Sequence, residues 1–246
     1  MSHDTIFVSR NKSESMRVAC RSLSIASRAQ RAATAAFTAL SDPTRADAVA
    51  TLGELTGPTT LLRMHERMAA DPVGRRVLEQ RPRVRTDTVL IDDLRALPAT
   101  TFGGAYAAFL GRHGFDPDER DEVRDVADPE LAYVMLRYRE THDFVHVLCG
   151  QPPTVAAEVA IKWFEMVQTG LPVATISALV GPLRLSPAEV RQLALRHVGW
   201  AARNGRRSRF MLNVMFEDHW EDDLEQLRGA LDLERAPRWE GEAAEP

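Results

Sequence analysis

Cysteine is scarce in this chain of 246 residues, which contains only Cys20 and Cys149. Two cysteines provide no disulfide framework, and neither of them has the spacing of a cysteine metal motif. The composition therefore favours a reducing compartment. A chain of this length with 44% hydrophobic residues can bury a substantial core without disulfides or a structural metal.

Long hydrophobic runs are also missing. The longest candidate, from Leu171 to Leu183, is interrupted by prolines, a glycine and polar residues, and it falls short of the roughly 18 apolar residues that a membrane span requires. Any membrane contact should therefore be peripheral. A glycine-rich phosphate loop, internal repeats and strand alternation are absent as well. Nucleic acid is not an expected partner, because the net charge is −4 overall.

Acidic residues are rare at the N-terminus. Residues 1–40 contain six Lys or Arg and two acids, a net charge of +4, which leaves −8 for the remainder. The arginines fall on one side of a helical wheel, an arrangement typical of mitochondrial transit peptides. We expect a transit peptide or a disordered N-terminus at 1–25, a helical domain at 26–235, and an acidic flexible tail at 236–246. Two alternatives to a transit peptide remain. The segment could be the first helix of the folded domain, or the chain could be a bacterial protein with an irregular N-terminus.

Apolar spacing elsewhere predicts helices and an all-α single domain of about eight to ten of them. Ser186-Pro187-Ala188-Glu189 has the N-cap, N1 proline and N3 glutamate of a helix start. That helix is predicted to run to Arg203 and end at Asn204-Gly205. A last helix is predicted from about Phe216 to Leu231. Further helices are expected near 27–40, 46–55, 59–70, 73–80 and 103–113.

Two histidines and an aspartate lie close together on one predicted helix. Asp128-Pro129 provides its N-cap and first position, and Cys149-Gly150 ends it. Because each helical residue turns by about 100°, His142, Asp143 and His146 can face one point. A single histidine on such a helix is more often structural than a ligand. His65, His113, His197 and His219, which have no comparable neighbours, are therefore interpreted as structural.

A second helix supplies another carboxylate. Thr154 is a plausible N-cap for a helix that reaches about Gln168, and the Pro152-Pro153 turn folds Glu158 back against the first helix. Imidazole and carboxylate groups bind zinc, and catalytic zinc sites keep one position open. The sequence therefore predicts a metal site, formed by His142, Asp143, His146 and Glu158, between two consecutive helices.

The pattern His-Asp-x-x-His, followed after eleven residues by Glu, resembles the signature of the ubiquinone (coenzyme Q) biosynthesis protein 4 family, mitochondrial type. Further blocks resemble family landmarks, and the resemblance extends over about residues 26–235. In chain order, these blocks are residues 46–57, 78–83, 130–134, 137–140, 162–165, 168–172, 181–185 and 204–207. Cys149 and Pro153 depart from the pattern beside the site. They leave the ligand assignment unchanged.

The resemblance implies a function and a set of ligands. His142, Asp143, His146 and Glu158 would be both the metal ligands and the catalytic residues, with Zn²⁺ as cofactor and another divalent metal as the alternative. The implied reaction is C1-decarboxylation of 4-hydroxy-3-methoxy-5-polyprenylbenzoate, either oxidative or not. The implied place is the matrix side of the mitochondrial inner membrane, as a peripheral protein. The implied partners are other coenzyme Q biosynthesis proteins in a multi-subunit complex, and a homodimer is left open.

Two other functions remain as alternatives. A non-catalytic scaffold that binds polyprenyl lipid would use the apolar stretch from Trp163 to Ile176 as a tunnel wall, although such a stretch is core by default. A zinc peptidase is disfavoured, because Asp143 replaces the glutamate that acts as general base in that class. The basic residues Arg203, Arg206, Arg207 and Arg209 either complement a helix dipole or bind anionic lipid or a carboxylate.

Overall fold

Helices make up the regular structure of this chain in the computed structural model, which describes residues 25–41, 46–120 and 122–240. Over these ranges the strand-like pairing is limited to an isolated bridge between Thr101 and Asp223. The all-α prediction is confirmed. In chain order the helices are α1 Ile25–Ser41, α2 Ala46–Thr56, α3 Pro58–Ala70, α4 Pro72–Gln80, α5 Ile91–Arg95, α6 Phe102–His113, α7 Pro129–Glu140, α8 His142–Cys149, α9 Val155–Thr169, α10 Pro172–Val180, α11 Pro187–Gln192, α12 Val198–Arg207 and α13 Leu224–Ala230.

Ten of the helices in the described part of the chain have eight or more residues, in agreement with the expected eight to ten. A π-helical turn, Leu193–His197, joins α11 to α12. Other elements are connected by single turns of 3₁₀-helix. These turns are Pro117–Glu119, Gly181–Arg184, Met211–Asn213 and Phe216–Asp218. The helices pack into one domain.

The predicted helix starts are confirmed, because each depends on a capping side chain and a backbone amide that are neighbours in the sequence. Asp128 accepts a hydrogen bond from the backbone N–H of Glu130 at 2.8 Å, and Thr154 accepts one at the start of α9. Ser186 and Glu189 form the predicted capping box at the start of α11. Each cap satisfies amide groups that have no partner inside the helix.

The helix α8 is anchored by its apolar face. Phe144 and Leu148 are fully buried in the larger core cluster. The Phe144 ring lies 5.2 Å from that of Phe102 and 4.7 Å from that of Tyr106, both in edge contact. Aromatic pairs at such distances stabilise a core beyond the area that they bury. The remaining face of α8, which carries the two histidines, is therefore held in a fixed direction.

The predicted helix that contains the histidines is divided in two. Thr141, with φ −90° and ψ 0°, separates α7 from α8, and its hydroxyl donates to the Arg137 carbonyl at 2.7 Å. Threonine hydroxyls that bond back to the preceding turn commonly bend a helix. His142 and His146 nevertheless share α8, so their spacing is retained.

The predicted end of α12 is wrong. Asn204 and Gly205 lie within the helix, which continues to Arg207. A Cβ atom at Gly205 would come within 2.7 Å of the Val167 side chain on α9. The glycine therefore allows two helices to approach closely, rather than ending one of them. The same two helices are also in contact through Phe164 on α9 and Trp200 on α12, whose rings stack with centroids 5.8 Å apart.

The predicted last helix, 216–231, is also wrong. The chain forms a 3₁₀ turn at Phe216–Asp218 and becomes α-helical again only at Leu224. Between them, carbonyl groups of Trp220 and Asp222 accept hydrogen bonds from the first amides of α6 at 2.8 and 2.9 Å. This long-range pairing holds the segment in an irregular conformation that its apolar spacing does not indicate.

The predicted boundary of the flexible tail also requires correction. Residues 236–240 pack on the domain: Trp239 is 4% exposed, and the Ala236 N–H donates to the Cys149 carbonyl at 2.9 Å. Residues 241–246 lie outside the described residues. The predicted transit peptide lies almost entirely within residues 1–24, which are also outside them, and it stays a prediction.

Candidate metal centre

Three of the four predicted ligands lie at one point between α8 and α9. His142 and His146 occupy successive turns of α8, and Glu158 lies in the first turn of α9. One ligand atom from each of the three lies within 4.8 Å of the others. The Glu158 carboxylate lies 3.4 Å from His142 Nε2 and 3.2 Å from His146 Nε2. Both imidazoles therefore present the same ring nitrogen to one carboxylate.

A tight turn brings the two helices together. Gly150 ends α8 in the left-handed conformation, with φ 64°, and Pro152 and Pro153 prevent the helix from continuing. Thr154 then begins α9, with its hydroxyl accepting from the Ala157 N–H at 3.3 Å. Because only five residues separate the helices, Glu158 is placed beside the last turns of α8.

Hydrogen bonding fixes the tautomer of His146. Its Nδ1 lies 3.1 Å from the Gln151 carbonyl oxygen, which can only accept, so Nδ1 carries the proton. The opposite nitrogen, Nε2, is buried and has no hydrogen-bond partner of good geometry among the described residues. An imidazole held in this way offers a free lone pair, as metal-bound histidines do.

His142 is oriented by a buried carboxylate. Its Nδ1 lies 2.6 Å from Glu165 Oε1, so Nδ1–H donates there and Nε2 is left to face Glu158. The other oxygen of Glu165 accepts from Lys162 Nζ at 2.7 Å and from the Tyr138 hydroxyl at 2.6 Å. Carboxylate–histidine pairs of this kind make the ring a more basic ligand.

The charges of the site stabilise one another in the absence of a cation. Burial and Lys162 lower the pKa of His142, but Glu165 and Glu158 outweigh them and raise this pKa to about 9. Burial raises the pKa of Glu158, whereas His146 and His142 hold it well below its ordinary value. Two imidazoles facing one carboxylate would be stabilised further by a divalent cation between them.

Asp143 is not brought together with the other three ligands. Its side chain is 7% exposed, and its Oδ1 atom accepts from Arg120 Nη2 at 2.5 Å. Asp143 lies next to His142 on α8, as predicted, but the described ligand group contains only the two histidines and Glu158. Its role as a ligand stays a prediction.

Glu165 and Gln151 are the functional residues that the sequence reasoning missed. Glu165 lies in one of the family-like blocks, where the sequence assigns it no role, and Gln151 lies between the predicted helix end at Gly150 and the Pro152-Pro153 turn, with no role predicted. A signal for Glu165 was available, since Glu158, Lys162 and Glu165 follow one another at i, i+4 and i+7 on α9 and therefore share a face. Gln151 contacts His146 through its backbone carbonyl, which every residue type has, so the sequence gives no indication of this contact.

The basic cluster and the apolar stretch make ordinary structural contacts. Arg207 lies 3.0 Å from Asp232 and 2.9 Å from Glu234, and Arg209 lies 3.5 Å from Asp71. These contacts support the structural interpretation of the basic cluster. In the apolar stretch, Phe164, Leu171, Val173 and Ala174 are core residues. No helix in the described ranges is both long and apolar enough to cross a bilayer.

The donor set fits zinc. Neutral imidazole nitrogen and carboxylate oxygen are ordinary zinc ligands, and three protein ligands leave a position open for water or substrate. Glu158 keeps 37% of its side chain exposed, so the site is reached from solvent. The Nε2 atom of the fully buried His146 ring faces the Glu158 carboxylate at 3.2 Å without a hydrogen bond of good geometry, and a cation between the two groups would explain this arrangement.

Known proteins resemble this chain over most of its length. The family model described as "Coenzyme Q (ubiquinone) biosynthesis protein Coq4" matches residues 20–237. "Ubiquinone biosynthesis protein COQ4 homolog, mitochondrial" from Nematostella vectensis is 47% identical over 206 residues, 82% of this chain and 99% of that protein. Its counterpart from Homo sapiens is 43% identical over 206 residues, 84% of this chain and 78% of that protein.

A solved structure supports the fold independently. The crystal structure of a Nostoc punctiforme protein superposes with a TM-score of 0.66 at 19% sequence identity, and the match covers 82% of this chain and 96% of that one. At this identity the match shows a shared fold alone. The sequence matches show more, because they combine 47% and 43% identity with coverage of more than four fifths of this chain. The chain belongs to the Coq4 family of coenzyme Q (ubiquinone) biosynthesis proteins.

Proposed function

We propose that this protein acts in ubiquinone synthesis as a metal-dependent carboxy-lyase, which removes the C1 carboxyl group of 4-hydroxy-3-methoxy-5-polyprenylbenzoate. Family membership supports the pathway. The observation that supports an enzyme is the pair of imidazoles, each bound through Nδ1 and each presenting Nε2 to Glu158. A purely structural histidine pair does not need two separate groups that fix its tautomers.

The proposed ligands are His142, His146 and Glu158, with Asp143 as the fourth. Zn²⁺ is the proposed metal, and another divalent ion is the alternative. Asp143 gives one oxygen to Arg120, which leaves its second carboxylate oxygen for a cation. Replacing Asp143 by Ala should lower the metal content if it is a ligand. Unchanged metal content in this variant would limit the set to the other three.

The net reaction replaces a carboxylate by hydrogen on the ring. The bond from C1 to the carboxyl carbon breaks, its electron pair stays on C1, a proton adds to C1, and carbon dioxide leaves. A bound divalent cation would supply Lewis-acid polarisation of the substrate oxygens. Arg120 and Lys162 place positive charge at the site, which favours approach of the benzoate anion. The exposed side of Glu158 admits solvent protons.

The direct test uses the purified full chain, loaded with Zn²⁺ in one sample and with a redox-active divalent metal in another. Incubation with the polyprenylbenzoate under aerobic and under anaerobic conditions should release carbon dioxide in at least one case, and the ring product should carry hydrogen at C1, or a hydroxyl group at C1 if oxygen is consumed. If oxygen is required, decarboxylation is coupled to C1 hydroxylation and the working metal is redox-active. Metal-loaded protein that leaves the substrate intact under both conditions would refute the enzyme proposal.

A non-catalytic scaffold that binds polyprenyl lipid is the second candidate. The observation that favours it is the exposure of large apolar side chains along one stretch of chain, with Leu179 58%, Leu183 85% and Leu195 71% exposed. The two functions predict different behaviour of Glu158→Ala. An enzyme should stay folded and stop turnover, whereas a scaffold should keep its partners assembled and still support product formation.

We propose the matrix side of the mitochondrial inner membrane as the place of action, with peripheral attachment. Relatives from animals and fungi are named mitochondrial. The proposed partners are other coenzyme Q biosynthesis proteins in one multi-subunit complex, and a homodimer is the alternative assembly. Alkaline carbonate should release the protein from isolated membranes. Resistance to carbonate would contradict peripheral attachment.

A further inference from the structure

The last described residues, 236–240, form a segment that we call the C-terminal strap. Its backbone contacts two separate elements: the Ala236 N–H donates to the Cys149 carbonyl at 2.9 Å, and the Pro237 carbonyl lies 2.9 Å from His197 Nε2. The Trp239 ring stacks on His197, with centroids 3.8 Å apart and planes 13° apart. The strap therefore joins the end of α8 to the π-helical turn before α12.

The strap also forms two hydrogen bonds with the side chain of Gln151. The Trp239 indole N–H donates to Gln151 Oε1 at 2.9 Å, and Gln151 Nε2 donates to the Pro237 carbonyl at 3.2 Å. An indole can only donate and a carbonyl can only accept, so the two partners determine which way the amide points. The Gln151 side chain is thus held at both ends by one short segment, although 86 residues of sequence separate it from Pro237.

Gln151 in turn is tied to His146 by two hydrogen bonds. The Gln151 N–H donates to the His146 carbonyl at 2.9 Å, and His146 Nδ1–H donates to the Gln151 carbonyl at 3.1 Å. The direction of the Gln151 carbonyl therefore sets the direction of the imidazole. Gly150, in the left-handed conformation, precedes Gln151 and turns the chain back toward His146.

The rest of the α8 C-terminus is satisfied by other groups. Arg228 donates to the Leu148 carbonyl at 2.7 Å and to the Val147 carbonyl at 2.9 Å. A buried cation at this end also complements the helix dipole. The last carbonyls of α8 are thus held by Arg228, by Ala236 and by Gln151 itself, and the strap reaches the metal site through the Gln151 turn.

We propose that the C-terminal strap is a positioning element of the metal centre. Trp239 and Pro237 hold the Gln151 amide, and Gln151 holds the His146 ring so that its Nε2 faces Glu158. Trp239 acts through Gln151 and is a positioning residue, not a ligand. The inference rests on the proposed metal centre and extends it to a segment that none of the predicted ligands occupies.

The test measures Zn²⁺ affinity by competition with a chromophoric chelator, using the full chain and its Trp239→Phe variant. Phenylalanine can keep the stacking on His197 but lacks the indole N–H. We expect zinc affinity to fall about tenfold, the lower end of the range for lost outer-shell partners. The d–d absorption of Co²⁺-loaded protein should change as well. Trp220→Phe is the matched control, because Trp220 stacks on Phe102 in the aromatic core instead.

A second variant removes the other partner of the hydrogen bond between Trp239 and Gln151. Gln151→Leu removes the amide but keeps the backbone carbonyl, so it should lower zinc affinity by a similar factor. If both residues act through one hydrogen bond, the double variant should lose little more than either single variant. Wild-type protein that does not bind zinc would refute the metal centre itself. Wild-type protein that binds zinc, with Trp239→Phe and Gln151→Leu binding it equally well, would refute the positioning role alone.

Discussion

At the scale of single residues, the site depends on groups that do not touch a metal. Glu165 is 3% exposed and joins three partners, of which His142 is one. A buried carboxylate is costly unless it is neutralised, and here Lys162 and His142 offset the burial and lower the pKa of Glu165. Its position therefore stabilises the charged form that orients the ring.

Replacing Glu165 by Gln should weaken metal binding. The amide oxygen can still accept from His142 Nδ1, but without the negative charge the ring becomes a poorer ligand. We expect zinc affinity to fall by about a factor of ten. Chelator competition measures it, and Glu66→Gln, at an exposed position on α3, is the control. Equal zinc affinity of the Glu165 and Glu66 variants would contradict the orienting role.

Cys149 should be unreactive in the folded protein. Its thiol is fully buried, and burial raises the pKa well above its ordinary value, so the reactive thiolate is not formed near neutral pH. In a Cys20→Ser background, where Cys149 is the one thiol left, Ellman's reagent at pH 8 should react only after denaturant is added. Rapid labelling of the native protein would contradict the burial of this side chain.

At the scale of helices, the sequence predicts starts better than ends. The starts of α7, α9 and α11 depend on a capping side chain and a nearby amide, which are neighbours in the sequence. The end of α12 depends on α9, because Gly205 lies against Val167. The same contrast applies to the site. Local spacing predicts His142, His146 and Glu158, whereas long-range contacts place Asp143 beside Arg120 and the strap beside Gln151.

The close approach of α9 and α12 predicts a difference between two glycines. Gly205→Ala places a methyl group 2.7 Å from the Val167 side chain, and we expect it to lower the free energy of unfolding by about 1–3 kcal/mol. Gly199→Ala, on the same helix, meets only the end of the Arg203 side chain at 3.4 Å. That change should raise stability by up to about 1 kcal/mol.

Urea denaturation of the two variants measures both effects. Because the substitutions are identical and lie on one helix, differences in helix propensity cancel in the comparison. A Gly205 variant as stable as the Gly199 variant would show that α9 and α12 are farther apart than described.

At the scale of the whole molecule, a metal should stabilise a fold that exists without it. The core clusters contain aromatic and aliphatic residues from most of the helices, and α8 is anchored by Phe144 and Leu148 as well as by its histidines. A chain of 246 residues can bury enough apolar surface to fold on this basis. We therefore expect protein treated with EDTA to keep its helical circular dichroism and to unfold cooperatively on heating.

Adding Zn²⁺ should then raise the unfolding temperature, since only the native state brings the ligands together. A free metal concentration of 100 times Kd adds about 2.7 kcal/mol, which corresponds to roughly 5–10 °C for a domain of this size. Glu158→Ala should lower the metal-free unfolding temperature, because it removes the carboxylate that faces both imidazoles, and it should also lose most of the increase on adding Zn²⁺. Loss of helical structure on EDTA treatment would instead make the metal part of the fold, and an equal increase in the Glu158 variant would place the ion elsewhere.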